Sequence, residues 1–276
     1  MEESFFSLHR KEWESDFFSF PIGSLTFRFP AGAGRYFRVY PELRAHLTSL
    51  LKIADAQYQL LEIDLDTKLM FAVPLFEEHG FRLVDSRCRF LTLLDKNNLN
   101  AQLFGIANDQ IQIREKKEGD FEQIAGLTVN FLVNDDSFLS RYKNAAFFRE
   151  GLAETYFLEW IRNTFHSPDA VISVATKKSG EVIAFFIYEK QGSRNHFPVY
   201  KGILSVVHPE FRGIDLHLAL QSFIFGRIEE RVFYVDNTTQ LANTGVIRNH
   251  MKSRRTLERV SFVLWRTSPA EGSPVA

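Results

Sequence analysis

The chain has 276 residues, of which 45% are hydrophobic and 24% are charged, a composition typical of one large or two modest globular domains. Its formal net charge of −1 gives no general excess of positive charge, which disfavours nucleic acid as the main partner. Cys88 is the single cysteine, so the sequence excludes an internal disulfide and favours a reducing compartment.

Membrane insertion and secretion are both disfavoured by the sequence. The N-terminal stretch MEESFFSLHRKEWESDFF lacks the basic start and apolar core of a signal peptide. No uncharged apolar run reaches the about 18 residues that a membrane-spanning helix requires. We therefore expect a soluble cytoplasmic protein with no membrane partner, and we predict no metal site. The sequence allows a homodimer and leaves the oligomeric state open.

The first half of the chain has the order β-α-β-α-β, which is typical of an α/β unit. Its predicted elements are a strand at 22–29, a helix at 41–56, a strand at 58–64, a helix at 67–80 and a strand at 81–94. Pro41 is expected in the first turn of its helix, and Gly80 is expected to end the second helix. Cys88 falls in the last strand, where a buried structural thiol is predicted.

A polar, asparagine-rich stretch at 95–109 predicts a linker and a domain boundary near residue 105. The second half is predicted to have the order β-α-α-β-β-β-α-β-α-β. Its elements are strands at 110–115, two around the turn at 178–180, and others at 197–208, 232–239 and 259–266, with helices at 119–131, 141–165, 216–230 and 241–253. The domains are therefore predicted as 1–105 and 106–268, with a disordered tail at 269–276.

The stretch VVHPEFRGIDLHLAL at 206–220 predicts a strand, a tight turn and the start of a helix. A loop of this kind directs several backbone N–H groups to one side, and the helix dipole adds partial positive charge there. A glycine such as Gly213 allows the backbone to approach a phosphate closely. The stretch therefore indicates a diphosphate-binding loop.

This turn, combined with the order of the strands, resembles the GNAT acetyltransferase superfamily over residues 110–266. The resemblance is carried by Val207, Pro209, Arg212, Gly213 and Asn243. It implies a GNAT fold, a mixed and mostly antiparallel sheet flanked by helices. It also implies acetyl-CoA as the acyl donor, held by a loop that reads Arg212, Gly213, Ile214, Asp215, Leu216 and His217.

Two positions of this loop differ from the superfamily's pattern of Arg/Gln-x-x-Gly-x-Gly/Ala. Asp215 places a carboxylate beside the expected diphosphate, which is repulsive unless the side chain turns away; Asp is also a common helix N-cap. His217 either donates a hydrogen bond to phosphate or only fills space. The sequence therefore leaves open whether the loop still binds coenzyme A.

Two further roles follow from the same resemblance. The strand before the loop lends a backbone amide to the thioester carbonyl, which places Val206 or Val207 as the oxyanion donor. Superfamily members often have Asn before the next helix and a proton-donating Tyr seven residues later. Here the pair is Asn243 and His250, and a histidine suits general acid work. The alternatives are a plain helix cap for Asn243 and a surface histidine for His250.

The first half also carries a resemblance. KEWESDFFSFPIGSL at 11–25 and EEHGFRLVDSRCRF at 77–90 resemble bacterial TDP-fucosamine acetyltransferases, which pair a degenerate GNAT-like half with a catalytic half. The resemblance implies N-acetylation of a small-molecule acceptor, a nucleotide-linked amino sugar used in polysaccharide synthesis. Asp16 and Phe17-Phe18 are placed either facing the substrate or in a packed strand start. Arg141 and Tyr142 are placed near the acceptor.

Two alternatives to a CoA-dependent transferase remain. The first is a non-catalytic GNAT-fold binding module with a degraded loop, which the substitution at Asp215 motivates. The second is an acyltransferase that takes its acyl group from an acyl carrier protein. The basic run RNHMKSRRTLER at 248–259 suits an acidic carrier, although a run of this kind is usually a solvated helix face.

Overall fold

The computed structural model of the chain describes residues 5–29, 36–101, 109–134, 140–143 and 147–268. The predicted tail at 269–276 and residues 102–108 of the predicted linker lie outside these residues. The strands within the described ranges are β1 (Phe6–Arg10), β2 (Ile22–Phe27), β3 (Leu60–Asp66), β4 (Arg82–Asp95), β5 (Ile111–Glu115), β6 (Ala170–Lys177), β7 (Val182–Arg194), β8 (Phe197–Val207), β9 (Val232–Gln240) and β10 (Leu257–Thr267).

Helices lie between some of these strands along the chain. The α-helices of the described ranges are α1 (Glu12–Phe18), α2 (Tyr36–Asp55), α3 (Val73–Glu78), α4 (Phe121–Thr128), α5 (Leu152–Phe165), α6 (Leu216–Arg227) and α7 (Thr244–Lys252). Short 3-10 turns precede α3, at Thr67–Ala72, and follow β8, at Pro209–Phe211. The predicted elements from β2 to β10 are therefore largely confirmed.

Contacts divide the chain into two compact units, each of which is discontinuous in sequence. The first contains residues 1–87, 140–152 and 259–276, and the second contains residues 88–139 and 153–258. The domain boundary expected near residue 105 stays a prediction. By contacts, the chain changes from one unit to the other inside β4, between residues 139 and 140, between residues 152 and 153, and inside β10.

In the first unit the strand order is β1-β2-β3-β10-β4. β1 pairs antiparallel with β2, β2 parallel with β3, and β3 antiparallel with β10. A parallel pair needs a crossover, and α2 supplies it. The core of this unit packs α2 and α3 through buried leucine and phenylalanine side chains, including Leu43, Leu47, Leu75, Phe76 and Phe81.

In the second unit the strand order is β4-β9-β8-β7-β6-β5. The strands β5 to β8 pair antiparallel in sequence, and β8 then pairs parallel with β9 through the crossover helix α6. Buried apolar side chains of α6, such as Leu220 and Ile224, pack with Phe186 and Val235 of the strands. The predicted mixed, mostly antiparallel sheet flanked by helices is confirmed.

Three predicted elements differ from the structure. The stretch around Asp16 is the helix α1 rather than a strand start, because Ser15 and Phe18 share its buried face. Pro41 lies inside α2 rather than in its first turn; only one early backbone hydrogen bond is lost there, and burial of Leu43 and Leu47 holds the helix. The helix predicted from residue 141 begins at Leu152, because Gly151 has a left-handed φ of 83°.

Candidate functional site

The turn between β8 and α6 is shaped by two residues with left-handed backbone. Gly213 has a φ of 88° and Asp215 a φ of 59°. A Cβ added to Gly213 would meet no atom within 4 Å, so the loop is open on that side. Only glycine adopts the conformation of Gly213 without strain. The glycine that the sequence identified therefore lies in the open turn before α6.

Consecutive backbone amides at this turn lack acceptors. The first amides with a helical partner are those of Leu218 and Ala219, which donate to the carbonyl oxygen of Asp215 at 2.9 and 3.0 Å. Among the described residues, no acceptor is found for the amides of 213–217. Free amides at a helix start, together with the helix dipole, form an anion-binding arrangement. The loop thus has the donors that a diphosphate requires.

The strands β8 and β9 separate beside this loop. Their pairing runs from Val199 opposite Tyr234 to Gly202 opposite Asn237, and it does not continue into the last residues of β8. Gly202 is required at the last pair, because a Cβ there would lie 2.1 Å from Nδ2 of Asn237. Tyr188 donates a hydrogen bond of 2.9 Å to Oδ1 of Asn237 and holds this amide in place.

The separation leaves one edge of β8 unpaired beyond Gly202. The amide of His208 donates to the Ile183 carbonyl of β7 at 2.9 Å, so the backbone groups of Val207 face the opposite edge, because successive residues of a strand alternate. Nε of Arg212 donates to the Val207 carbonyl at 3.2 Å on that edge. The amide of Val207, rather than that of Val206, therefore points toward the separating strand β9.

Asp215 occupies the N-cap position of α6, but its side chain makes no capping hydrogen bond. Its carboxylate instead forms an ion pair with the Lys252 ammonium group at the end of α7. The side chain thus turns away from the helix axis, and Lys252 partly neutralises the charge that would repel a diphosphate. Ile214, between the two left-handed residues, is 41% exposed, and the side chain of Leu216 is buried.

His217 is buried in the second unit and does not face the open side of the loop. It is 7% exposed, its ring lies edge-on to Phe186 at 5.0 Å, and its Nδ1 lies 3.3 Å from Nε2 of Gln221. Burial, reinforced by the positive charge of Arg255, lowers the pKa of His217 to about 4. The imidazole is therefore neutral at pH 7, and its Nε2 has no hydrogen-bond partner.

His250 is likewise buried, so the alternative of a surface histidine is wrong. It is 2% exposed, and its ring lies 4.7 Å from Phe90 and 6.1 Å from the ring of His217. Burial, with the neighbouring His217 and Arg255, lowers the pKa of His250 to about 3. Its Nδ1 has no partner. A neutral imidazole is a weak proton donor, so the structure gives its predicted role as general acid little support.

Asn243 is the N-cap of α7, and its side chain accepts a hydrogen bond of 3.2 Å from the Val246 amide. The helix-cap alternative is therefore confirmed, and a contact with the cofactor stays a prediction. Asn243 Oδ1 is engaged by the helix, but an N-cap side chain leaves its amide nitrogen for other contacts.

The inward turn of Arg255, within the basic run, was not predicted from the sequence. Arg254 has a left-handed φ of 55°, a conformation that suits glycine, and the next residue, Arg255, turns inward and is only 7% exposed. The basic run is also not uniformly solvated: Arg248, Lys252 and Arg254 are exposed, whereas His250 and Arg255 are buried.

A buried charge cluster lies in the first unit. Glu62 of β3 is 7% exposed and contacts Nζ of Lys11 at 3.0 Å, Nε of Arg141 at 3.6 Å and, by a hydrogen bond of 2.8 Å, Nε1 of Trp265. The neighbouring cations, Arg141 foremost, overcome the effect of burial and hold the pKa of Glu62 far below its usual range. Arg141 therefore balances a buried carboxylate in this cluster.

The other residues that the sequence placed near the acceptor surround this cluster. Tyr142 is buried and stacks on Phe18 at 5.9 Å. Asp16 is exposed and pairs with Arg10 at 3.3 Å, while Phe17 contacts Phe18 edge-on at 4.9 Å. These contacts explain how the residues pack, and an acceptor contact of Arg141 or Tyr142 stays a prediction.

The described part of the chain contains no group of three or more His, Cys, Asp or Glu side chains that could hold a metal ion. Within the same ranges, no helix has both the length and the apolar character that crossing a bilayer requires. Cys88 is buried in β4, and burial raises the pKa of its thiol, as expected for a structural rather than a nucleophilic cysteine.

No family model matches the chain, and no curated protein matches it. Solved structures do match. A GCN5-related N-acetyltransferase from Sphaerobacter thermophilus is 13% identical, with a TM-score of 0.57 over 96% of this chain and 77% of the other. A tandem GNAT protein from the clavulanic acid biosynthesis pathway is 12% identical, with a TM-score of 0.55 over 91% and 76%.

A conserved protein of unknown function from Staphylococcus epidermidis is also similar. It is 11% identical, with a TM-score of 0.57 over 97% of this chain and 92% of the other. At these identities the likeness shows the fold. The predicted GNAT fold is confirmed, and the similarity extends over nearly the whole chain. Nothing in the comparisons points to TDP-fucosamine acetyltransferases in particular.

Proposed function

We propose that the chain is an acyl-CoA-dependent N-acyltransferase with acetyl-CoA as a donor. The observation that carries the proposal is the run of unpartnered amides at 213–217, which opens α6 beside the point where β8 and β9 separate. These amides can hold the diphosphate of coenzyme A without a charged side chain. The GNAT fold of the solved neighbours supports the same assignment.

The proposed reaction is a direct acyl transfer. The nitrogen of a neutral amine attacks the thioester carbonyl carbon, the C–S bond of the tetrahedral intermediate breaks, and coenzyme A leaves as a thiolate. The Val207 amide faces the unpaired edge of β8 and is the donor that can stabilise the oxyanion. The amine loses its proton to water, because the Asp215 carboxylate at the loop is engaged by Lys252.

His250 takes a smaller part in this proposal than the sequence assigned to it. Because its pKa is lowered to about 3, the ring has no imidazolium proton to give at neutral pH. A neutral ring can still donate a hydrogen bond to the departing sulfur. A thiolate needs less help than an alkoxide, because the ordinary pKa of a thiol is only about 8.5.

The acceptor is proposed to be an amine on a small molecule, such as a nucleotide-linked amino sugar. This part of the proposal rests on the sequence resemblance of 11–25 and 77–90 and on the inferred cytoplasmic location. The neutral overall charge of the chain suits a small-molecule acceptor better than a nucleic acid.

One observation favours a non-catalytic binding module as a second candidate. Asp215 and Lys252 bridge the start of α6 and the end of α7, and the interior behind them is occupied by His217 and His250. A ligand that enters between these helices must separate the ion pair. The module would keep the GNAT fold and bind a ligand other than an acyl-CoA.

Calorimetry combined with a turnover assay distinguishes the two candidates. Acetyl-CoA and coenzyme A are titrated into the full chain, and thiol release is then followed with a panel of amines and amino sugars. Binding of both CoA compounds, with amine-dependent thiol release, is the expected result. Binding without turnover on any amine favours the module, and absence of binding at millimolar ligand contradicts the proposed function.

A further inference from the structure

Polar atoms without partners are concentrated at one place in the second unit. The atoms are Nε2 of His217, Oε1 of Gln221, Nδ1 of His250, and Nε and Nη1 of Arg255. All four side chains are at least nine-tenths buried, with exposures of 7%, 1%, 2% and 7%. Buried polar atoms are normally hydrogen-bonded, so a group of five such atoms needs an explanation.

The four side chains form one connected cluster. His217 contacts Gln221 one helical turn along α6, and its ring lies 6.1 Å from that of His250 on α7. The Arg255 amide donates to the carbonyl oxygen of His250 at 2.9 Å, and the Arg255 guanidinium lies over the ring of Phe225 at 4.9 Å. The Phe225 ring lies 5.5 Å from the ring of Tyr188. Tyr188 in turn holds Asn237, the last paired residue of β9. The cluster therefore lies where β8 and β9 begin to separate.

The cluster carries a buried positive charge that no described residue balances with an ion pair. Within the described ranges no ion pair involves Arg255. The nearby Asp236 is already engaged by Arg89 through hydrogen bonds of 2.9 and 2.7 Å. Because the amide nitrogen of Gln221 can only donate, Nδ1 of His217 accepts, and the free Nε2 of its neutral ring bears a proton. The unpartnered atoms are thus mainly donors around a cation.

We propose that the cluster of His217, Gln221, His250 and Arg255, hereafter the arginine chamber, binds a carboxylate carried by one of the two substrates. The inference rests on the proposed function. A buried guanidinium is tolerated when an anion pairs with it, and a carboxylate fits both its charge and its planar donors.

Two sources of this carboxylate are open, and both are small molecules. It belongs either to a donor whose acyl chain ends in a carboxylate, as in succinyl-CoA, or to an acceptor that carries a carboxylate beside its amine. The loop at 213–217 takes the diphosphate at one end of the donor in either case. The arginine chamber then selects among substrates at the reacting end.

The first arm of the test compares the binding of succinyl-CoA and acetyl-CoA by calorimetry. The second arm titrates each common α-amino acid, and its primary amide, into the chain saturated with acetyl-CoA. In one of the two arms, the ligand with the carboxylate is expected to bind about tenfold more tightly than the matching ligand without it. The ligand without the carboxylate lacks one charge-assisted hydrogen bond, which accounts for a difference of this size. Arg255→Phe, which removes the guanidinium and keeps a large side chain, should abolish this preference while coenzyme A still binds.

Arg254→Met is the matched control, because Arg254 is exposed next to Arg255 and should leave the preference unchanged. If acetyl-CoA binds and neither arm shows a preference, the inference is overturned and the cluster holds only water. The inference is also overturned if the preference for the carboxylate survives in Arg255→Phe. If no CoA ester binds at all, the proposed function fails and this inference fails with it.

Discussion

The Asp215 carboxylate at the start of α6 is paired with the Lys252 ammonium group at the end of α7. The side chains are 38% and 50% exposed, so the pair itself adds little to stability. Its importance is its position: it places a negative and a positive charge beside the amides that we propose bind a diphosphate. The two charges should therefore act in opposite directions on the affinity for coenzyme A.

The first prediction concerns this pair. Asp215→Asn removes the repulsive carboxylate, keeps a residue that tolerates the left-handed backbone and frees Lys252 to approach the phosphates. We expect calorimetry to show coenzyme A binding about threefold to tenfold more tightly, a gain of about 1 kcal/mol. Lys252→Met leaves the carboxylate unpaired and should weaken binding. An unchanged dissociation constant in both variants would show that neither charge faces the ligand.

A second prediction concerns the backbone at Gly213. Gly213→Ala places a Cβ on a residue with a φ of 88°, which costs about 1–2 kcal/mol and moves the loop. The dissociation constant of acetyl-CoA should rise by about tenfold. Gly226→Ala is the matched control, because Gly226 lies within α6 with space around it and without a positive φ. Equal affinities of the two variants would argue against a ligand at the turn.

A third prediction tests the charge cluster of the first unit. Glu62→Gln keeps an acceptor for Trp265 but leaves Lys11 and Arg141 without their buried carboxylate. Breaking a buried ion pair by removing one partner costs about 3 kcal/mol or more. Denaturant unfolding should show a loss of this order, whereas Glu12→Gln, at an exposed side chain, should change the free energy of unfolding little.

Acid unfolding provides a second measurement on the same variant. Because the pKa of Glu62 is lowered in the folded state, its ionisation stabilises the fold above the unfolded value near 4.5, and this contribution is lost as the pH falls. The stability of Glu62→Gln should therefore fall less steeply below that pH. A slope equal to that of the unmodified chain would contradict the assigned charge state.

A fourth prediction concerns the buried histidines. The folded pKa values of His217 and His250 are about 4 and about 3, below the ordinary value of 6.5, so between these values the unfolded chain binds more protons. The free energy of unfolding should therefore fall as the pH decreases from about 6.5 toward 4. In His250→Phe this dependence should be smaller. His166→Phe, at an exposed histidine, is the control and should leave the slope unchanged.

Much of the fold follows from local sequence patterns. The alternation of apolar and polar residues in β2 and the hairpin turn at Gly180 can be predicted from the sequence, because each depends on residues within a short stretch of the chain. The start of α5 could not be predicted in this way, because Gly151, whose left-handed backbone delays the helix, lies inside an otherwise helical pattern. Pro41 likewise suggested a helix start, whereas burial of Leu43 and Leu47 extends the helix through it.

The candidate site was predictable at the loop and not in the interior behind it. Gly213 and Asp215 are separated by a single residue, so their turn could be anticipated. The cluster of His217, His250 and Arg255 brings together α6, α7 and the residues after α7, and no periodicity links them. The sequence features that pointed there were His217 and His250, which stand where the superfamily's pattern has Gly or Ala and Tyr.

The most direct test of the proposed diphosphate site is nuclear magnetic resonance of the backbone amides. Coenzyme A, inorganic pyrophosphate and adenosine 3′-phosphate, which lacks the diphosphate, are titrated into the labelled chain. We predict large shifts for the amides of 213–217 with the first two ligands and small shifts with the third. Unperturbed amides at 213–217 under saturating coenzyme A, or shifts confined to other parts of the chain, would contradict the account.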